Sequence, residues 1–132
     1  MTDIERIRAT WARAAADPGA TAAGFYTNLF KIAPQTRALF GTDLTVQGAK
    51  LMQTIGFIVD HLDDGDAWQG AARELAIRHV AYGVKPQDYG PVGEALVMTL
   101  SETLGEDFDQ ADREVWSRTY AALSNLMTKA AF

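Results

Sequence analysis

The chain has 132 residues, 48% hydrophobic and 22% charged, with 12 Lys+Arg against 17 Asp+Glu for a formal charge of -5. That length holds one domain with one core, and the lack of cysteine excludes a disulfide framework, a thiolate zinc site, an iron–sulfur cluster and a cysteine nucleophile. Scattered basic residues argue against a nucleic-acid partner. No stretch reaches membrane-spanning length and acid occupies the start of Met1-Thr2-Asp3-Ile4-Glu5, so a cytoplasmic protein with no membrane partner is expected.

Nearly every segment has helical rather than alternating periodicity, without internal repeats, which predicts an all-α fold of six to seven helices. Thr2-Asp3-Ile4-Glu5 has the form of a capping box, opening a helix to about Ala15 that Asp17-Pro18-Gly19 is expected to end. A second helix carries Ala22, Phe25, Tyr26, Leu29 and Phe30 and stops near Ala33, because Pro34 offers no amide donor. A short helical piece follows from Pro34 to Phe40. Gly41-Thr42-Asp43 reads as a turn, and Asp43 or Thr45 caps a long helix to about Leu62. Its inward stripe is Gln47, Leu51, Ile55, Ile58 and Leu62, so a glutamine leads an apolar face.

Asp63-Asp64-Gly65-Asp66 caps the next helix, which Gly83 terminates. A further helix begins near Pro86, with Pro91 able to shift or bend its start, and ends at Gly105. Asp107 or Asp109 opens the last helix, whose apolar positions include Val115, Trp116, Tyr120, Leu123 and Met127. Helices of unequal length with short links suit an irregular helical globule better than a regular bundle.

The residue with the most chemistry is His79. Spacings of three and four place Trp68, Ala72, Leu75, His79 and Tyr82 on one helical face, which turns the imidazole inward. A neutral imidazole among apolar neighbours suits a metal ligand, whereas a buried charged one would cost several kcal/mol, roughly as for other unpaired ions. Spacing alone leaves open a core histidine bonded to a backbone carbonyl.

Several fragments together, in this order and separation, resemble the globin family, specifically bacterial single-domain globins related to the haem domain of flavohaemoglobins. They are Gly24-Phe25-Tyr26-Thr27-Asn28-Leu29-Phe30, Ala38-Leu39-Phe40, Gln47-Gly48-Ala49-Lys50-Leu51-Met52, and Arg78-His79 through Tyr82-Gly83 and Lys85-Pro86 to Tyr89-Gly90-Pro91-Val92-Gly93. The resemblance implies a three-over-three helical fold around haem b, with a short or absent fourth helix. It makes His79 the proximal iron ligand, Phe40 the aromatic wedge on the porphyrin, and Tyr26, Gln47 and Leu51 the distal residues. Lys50 and Lys85 become propionate partners, and Tyr89 and Val92 cofactor contacts.

Each residue also has a plainer reading. Tyr26 suits a core position with a wet edge, and Phe40 and Leu51 suit a core without ligand. Lys50 and Lys85 suit solvated surface positions. Gln47 fits least well, because an inward amide needs a partner. Ala22 and Gly48 match a place where two globin helices cross closely. His61, about 21 Å along an ideal helix from Gln47, leans off the inward stripe and is expected at the surface. Trp68 and Trp116 are expected to be packing residues.

The chain departs from flavohaemoglobins on the proximal side. There a tyrosine, matched by Tyr89, cooperates with an acid that would lie around Ala131 or beyond, and this sequence has no carboxylate side chain after Glu114. The resemblance thus implies a broken dyad and a weaker electronic push from His79. The expected function is reversible, high-affinity O₂ binding, with NO and CO as further ligands. Alternatives are nitric oxide dioxygenation with a separate electron-donating reductase, the globin occupying the full 132 residues, and a haem-based or haem-free sensory globin that signals through a partner.

Overall fold

A computed structural model describes residues 1–41 and 43–132; Thr42, in the middle of the expected Gly41–Asp43 turn, lies outside the described residues. Helix α1 (Asp3–Ala14) starts where the Thr2 hydroxyl accepts from the Glu5 amide at 3.1 Å, satisfying one of the free donors of the first turn. Ile7, Thr10, Trp11 and Ala14 form its buried stripe.

The Asp17-Pro18-Gly19 segment opens the next helix rather than closing the first. In α2 (Pro18–Ile32) the Asp17 carboxylate accepts from the Ala20 amide at 3.2 Å, and Pro18 takes the first helical position, where its missing N–H costs nothing. The turn is fixed by the Thr21 hydroxyl donating to the Ala14 carbonyl at 2.6 Å. A 3₁₀ helix over Pro34–Leu39 follows.

Asp43, not Thr45, caps α3 (Leu44–Asp60), accepting from the Thr45 and Val46 amides. At its far end Arg8 donates to the carbonyls of Val59 and Asp60 and to the Asp63 carboxylate, placing a cation on the unpaired carbonyls of a helix C-terminus. Asp64 caps α4 (Gly65–Ala81). This helix closes at Gly83, whose φ of 89° lets the Val84 amide return to the His79 carbonyl at 3.0 Å.

A 3₁₀ turn over Pro86–Asp88 leads into α5 (Tyr89–Leu104). Pro91 falls in the first turn, where no intrahelical donor is needed, and leaves the start where it is. Gly105, at φ 56°, ends α5, and a reciprocal Asp109–Asp112 capping box opens α6 (Gln110–Ala131).

The broadest packing is between α2 and α5, α4 and α6, and α2 and α3, with α1 set against α3, α5 and α6. The α2–α3 crossing is as close as Ala22 and Gly48 led one to expect: a Cβ on Gly48 would sit 2.9 Å from the Ala22 Cβ. In the main core the Trp11 and Trp116 rings meet at 6.1 Å, and the buried Trp116 indole donates to the Thr10 hydroxyl at 2.8 Å. Trp68 packs at the edge of a second, smaller cluster built on Ala72, Ala76, Tyr89 and Met127. One member of the predicted α4 stripe is corrected: Tyr82 is 64% exposed, because the helix ends at Ala81 and the chain is already turning at residue 82. No helix among the described residues is long and apolar enough to cross a membrane.

Candidate functional site

His79 sits two residues before the end of α4, half-buried, with Leu75 one turn behind it. Its Nδ1 lies 2.8 Å from the Leu75 carbonyl oxygen. A carbonyl only accepts, so Nδ1 carries the proton and Nε2 keeps its lone pair. Burial pulls the imidazole below its usual pKa, with the Leu75 bond opposing in part, and the ring is therefore a neutral nitrogen donor at physiological pH. The carbonyl partner of a core histidine is thus present, and the same bond leaves the Nε2 lone pair free.

Tyr89, in the first turn of α5, places its ring 6.1 Å from the His79 ring with 24° between the planes. The ring is buried, and its hydroxyl has no hydrogen-bond partner among the described residues. Burial raises the Tyr89 pKa. The Tyr89 carbonyl is held by the Tyr120 hydroxyl of α6, which donates at 2.6 Å, while the Tyr120 ring lies so close to Gly93 that a Cβ there would meet it at 2.5 Å.

A second group of candidate residues is aromatic. Tyr26 is 5% exposed on α2, stacked on Phe30 at 5.8 Å and edge-on to Phe40 at 5.2 Å, with Phe30 and Phe40 closing the triangle at 5.8 Å. Gly48 lies behind the Tyr26 ring, where a Cβ would be 3.7 Å from Cε2, so the close α2–α3 crossing sets the position of this phenol. Burial raises its pKa, keeping the hydroxyl a protonated donor. Gln47 and Leu51, one turn apart on α3, are half-buried, as are Phe40 and Val92. Lys50 and Lys85 are exposed. His61 is half-buried rather than fully at the surface, stacked on Phe57 at 4.1 Å with Nδ1 on the Phe57 carbonyl.

These two groups of side chains belong to different apolar clusters. Tyr26, Phe40, Leu51 and Val92 pack with the main core, whereas Leu75 and Tyr89 pack with the smaller one beside His79. Among the described residues no three His, Asp or Glu side chains converge as a bare metal ion would need. A single prepared imidazole serves iron when a macrocycle supplies the remaining ligands, and His79 is such a donor. The residues present therefore fit a haem. Sequence reasoning overlooked the orienting part of Leu75, legible from its place four residues before His79, and that of Tyr120, for which the sequence carries no local signal.

The globin family pattern matches residues 23–127. The chain is 26% identical to a neuroglobin of Tetraodon nigroviridis, an alignment covering 96% of this chain and 89% of that protein. It is 27% identical to a flavohemoprotein of Bordetella pertussis over 78% of this chain, but the match spans only 26% of that protein's length. A neuroglobin of Danio rerio is 28% identical over 79% of this chain and 74% of its own. The chain belongs to the globin family, whose members bind small gases through haem.

Proposed function

We propose that this globin binds O₂ reversibly and with high affinity on haem b held by His79. The observation that carries the reading is a tautomer-fixed imidazole, His79 Nδ1 on the Leu75 carbonyl at 2.8 Å, in the same chain as a buried, protonated phenol, Tyr26. When bound, haem would supply an iron able to take up a diatomic gas, with His79 as the protein's ligand to it.

The chain's own residues account for the rest. His79 offers Nε2, and its hydrogen bond holds the ring orientation. Phe40 and Phe30 fix the Tyr26 ring so that its hydroxyl loses little freedom on meeting a ligand. Tyr26 and the Gln47 amide are hydrogen-bond donors toward a ligand that has gained negative charge, and such a bond is worth about 1.5 to 3 kcal/mol. Leu51 and Val92 keep water away. The Tyr89 hydroxyl, without a hydrogen-bond partner among the described residues, is in keeping with the departure from flavohaemoglobins read in the sequence. That favours an O₂ carrier over a nitric oxide dioxygenase. Sustained turnover of NO would need electrons from a separate reductase, and a cytoplasmic location fits both roles.

The test is the visible spectrum of the purified protein, ferric, dithionite-reduced and re-exposed to air, with pyridine extraction to type the haem. Haem b with a stable oxygenated form is expected. A protein without a Soret band after reconstitution, or a His79→Ala variant with an unchanged five-coordinate ferrous spectrum, overturns the reading. Continuous NO consumption with a supplied reductase, in place of a single equivalent, would move the function to dioxygenation.

A further inference from the structure

Arg37 is an exposed residue of the 3₁₀ helix, and no ion pair among the described residues engages it. Its guanidinium turns back onto the protein instead. Nη1 donates to the Phe40 and Gly41 carbonyls, each at 3.3 Å, and Cζ lies 5.3 Å from the centre of the Phe30 ring. The Phe40 amide in turn donates to the Arg37 carbonyl at 3.3 Å, so both polar backbone groups of Phe40 end on Arg37. Phe30 and Phe40 are rings packed on Tyr26, one stacked at 5.8 Å and the other edge-on at 5.2 Å. Phe25, also against Tyr26, is buried in the main core and needs no such hold.

We propose that Arg37 is a positioning residue for the gas ligand, acting through Phe30 and Phe40 on the Tyr26 hydroxyl, a role that rests on the oxygen-binding reading above. Phe30 belongs to the last turn of α2 and Phe40 to the extended chain that leaves the 3₁₀ helix. Both rings are only half-buried and keep motion that full burial would remove. Arg37 ties the two segments together from outside the core. Arginine suits this task because its guanidinium plane lies over an aromatic ring while its edge donates hydrogen bonds, whereas lysine offers the ring a point charge without the fork. Loosening Phe30 and Phe40 widens the range of the Tyr26 phenol, and a donor that must be ordered at each encounter holds its ligand less tightly.

The experiment compares wild type, Arg37→Gln and Arg37→Lys, each with and without Tyr26→Phe, as ferrous haem-loaded protein. Stopped-flow displacement of O₂ by CO gives the release rate, and NMR of the diamagnetic CO form gives the ring-flip rates of Tyr26 and Phe40. Arg37→Gln should release O₂ about two- to fivefold faster than wild type, the size of an exposed cation–π contact, and should flip both rings faster. Arg37→Lys should fall between the two. In the Tyr26→Phe background, Arg and Gln at position 37 should give equal release rates. Because Arg37 is exposed, urea midpoints should shift little, which separates a change in release from a loss of fold. Release or ring flips at the wild-type rate in Arg37→Gln, or an acceleration that persists without the Tyr26 hydroxyl, overturns the role. Wild-type protein without a Soret band after reconstitution fails earlier and removes the oxygen reading itself, whereas haem uptake with wild-type kinetics in Arg37→Gln removes the role of Arg37 alone.

Discussion

The Tyr89 ring lies nearly parallel to the His79 imidazole, 24° between planes and 6.1 Å between centroids, and its buried hydroxyl has no hydrogen-bond partner among the described residues. A buried hydroxyl without a hydrogen bond carries a desolvation cost of about 1 to 3 kcal/mol. Tyr89→Phe keeps the ring and removes that cost. The variant should be as stable as wild type or more so, by up to about 2 kcal/mol, in urea unfolding of the reconstituted protein. A loss of more than about 1 kcal/mol would mean that the hydroxyl has a partner after all.

Tyr26 has the opposite balance between fold and function. Its ring is fixed by Phe30, Phe40 and the α2–α3 crossing, and none of these contacts uses the hydroxyl. Tyr26→Phe should therefore leave stability within about 1 kcal/mol while speeding O₂ release roughly tenfold to a hundredfold. Stopped-flow displacement of O₂ by CO measures this directly. Release at the wild-type rate would remove Tyr26 from ligand stabilisation.

The α2–α3 crossing predicts an uneven pair of substitutions. Gly48→Ala adds a Cβ 2.9 Å from the Ala22 Cβ, which is short and has no rotamer to escape into. Alanine is the better helix former by about 1 kcal/mol, but overpacking costs about 1 to 3 kcal/mol, so the variant should be destabilised and its distal wall displaced. Adding Ala22→Gly should recover most of the packing loss. Denaturant midpoints of the single and double variants decide it, and additive effects would argue against direct contact.

Alkaline pH should loosen the proximal wall. Burial raises the pKa of Tyr120, with the nearby Tyr89 adding to it, and burial alone raises Tyr26 and Tyr89. A phenol whose pKa is higher folded than unfolded contributes stability that is complete below about 10 and is lost as pH rises through the folded value. Stability should thus fall above pH 10, and less steeply in Tyr120→Phe, which has no phenolate to form. An identical alkaline slope for both proteins would show that Tyr120 is not coupled to folding.

Much of this fold is local and was legible in the sequence. Asp43, Asp64 and Asp109 each cap the helix they precede, and Gly83 and Gly105 end α4 and α5 because their positive φ is open to glycine at little cost. Asp17-Pro18-Gly19 misled because the same residues that mark a turn also begin a helix, and only the position of Ala20 relative to Asp17 separates the two. Tyr82 fits the period of α4 yet falls where the helix has ended, so its ring is exposed.

Contacts between distant segments were not legible. Arg8 closing the end of α3, Tyr120 holding the Tyr89 carbonyl, and Asn28 donating to Thr99 and Glu102 all depend on how helices cross. Within the site, the inward turn of His79 follows from helical spacing, while its parallel placement beside Tyr89 depends on where α5 begins.

The end of α4 holds His79 from two directions. Its ring is tied backward to the Leu75 carbonyl, and its own carbonyl receives the Val84 amide as the chain reverses at Gly83. The imidazole is thereby anchored to a closed turn and not to the segment beyond it. Under the haem reading, a change in residues 85–88 should therefore alter the approach to α5 without moving the His79 nitrogen proposed to bind iron.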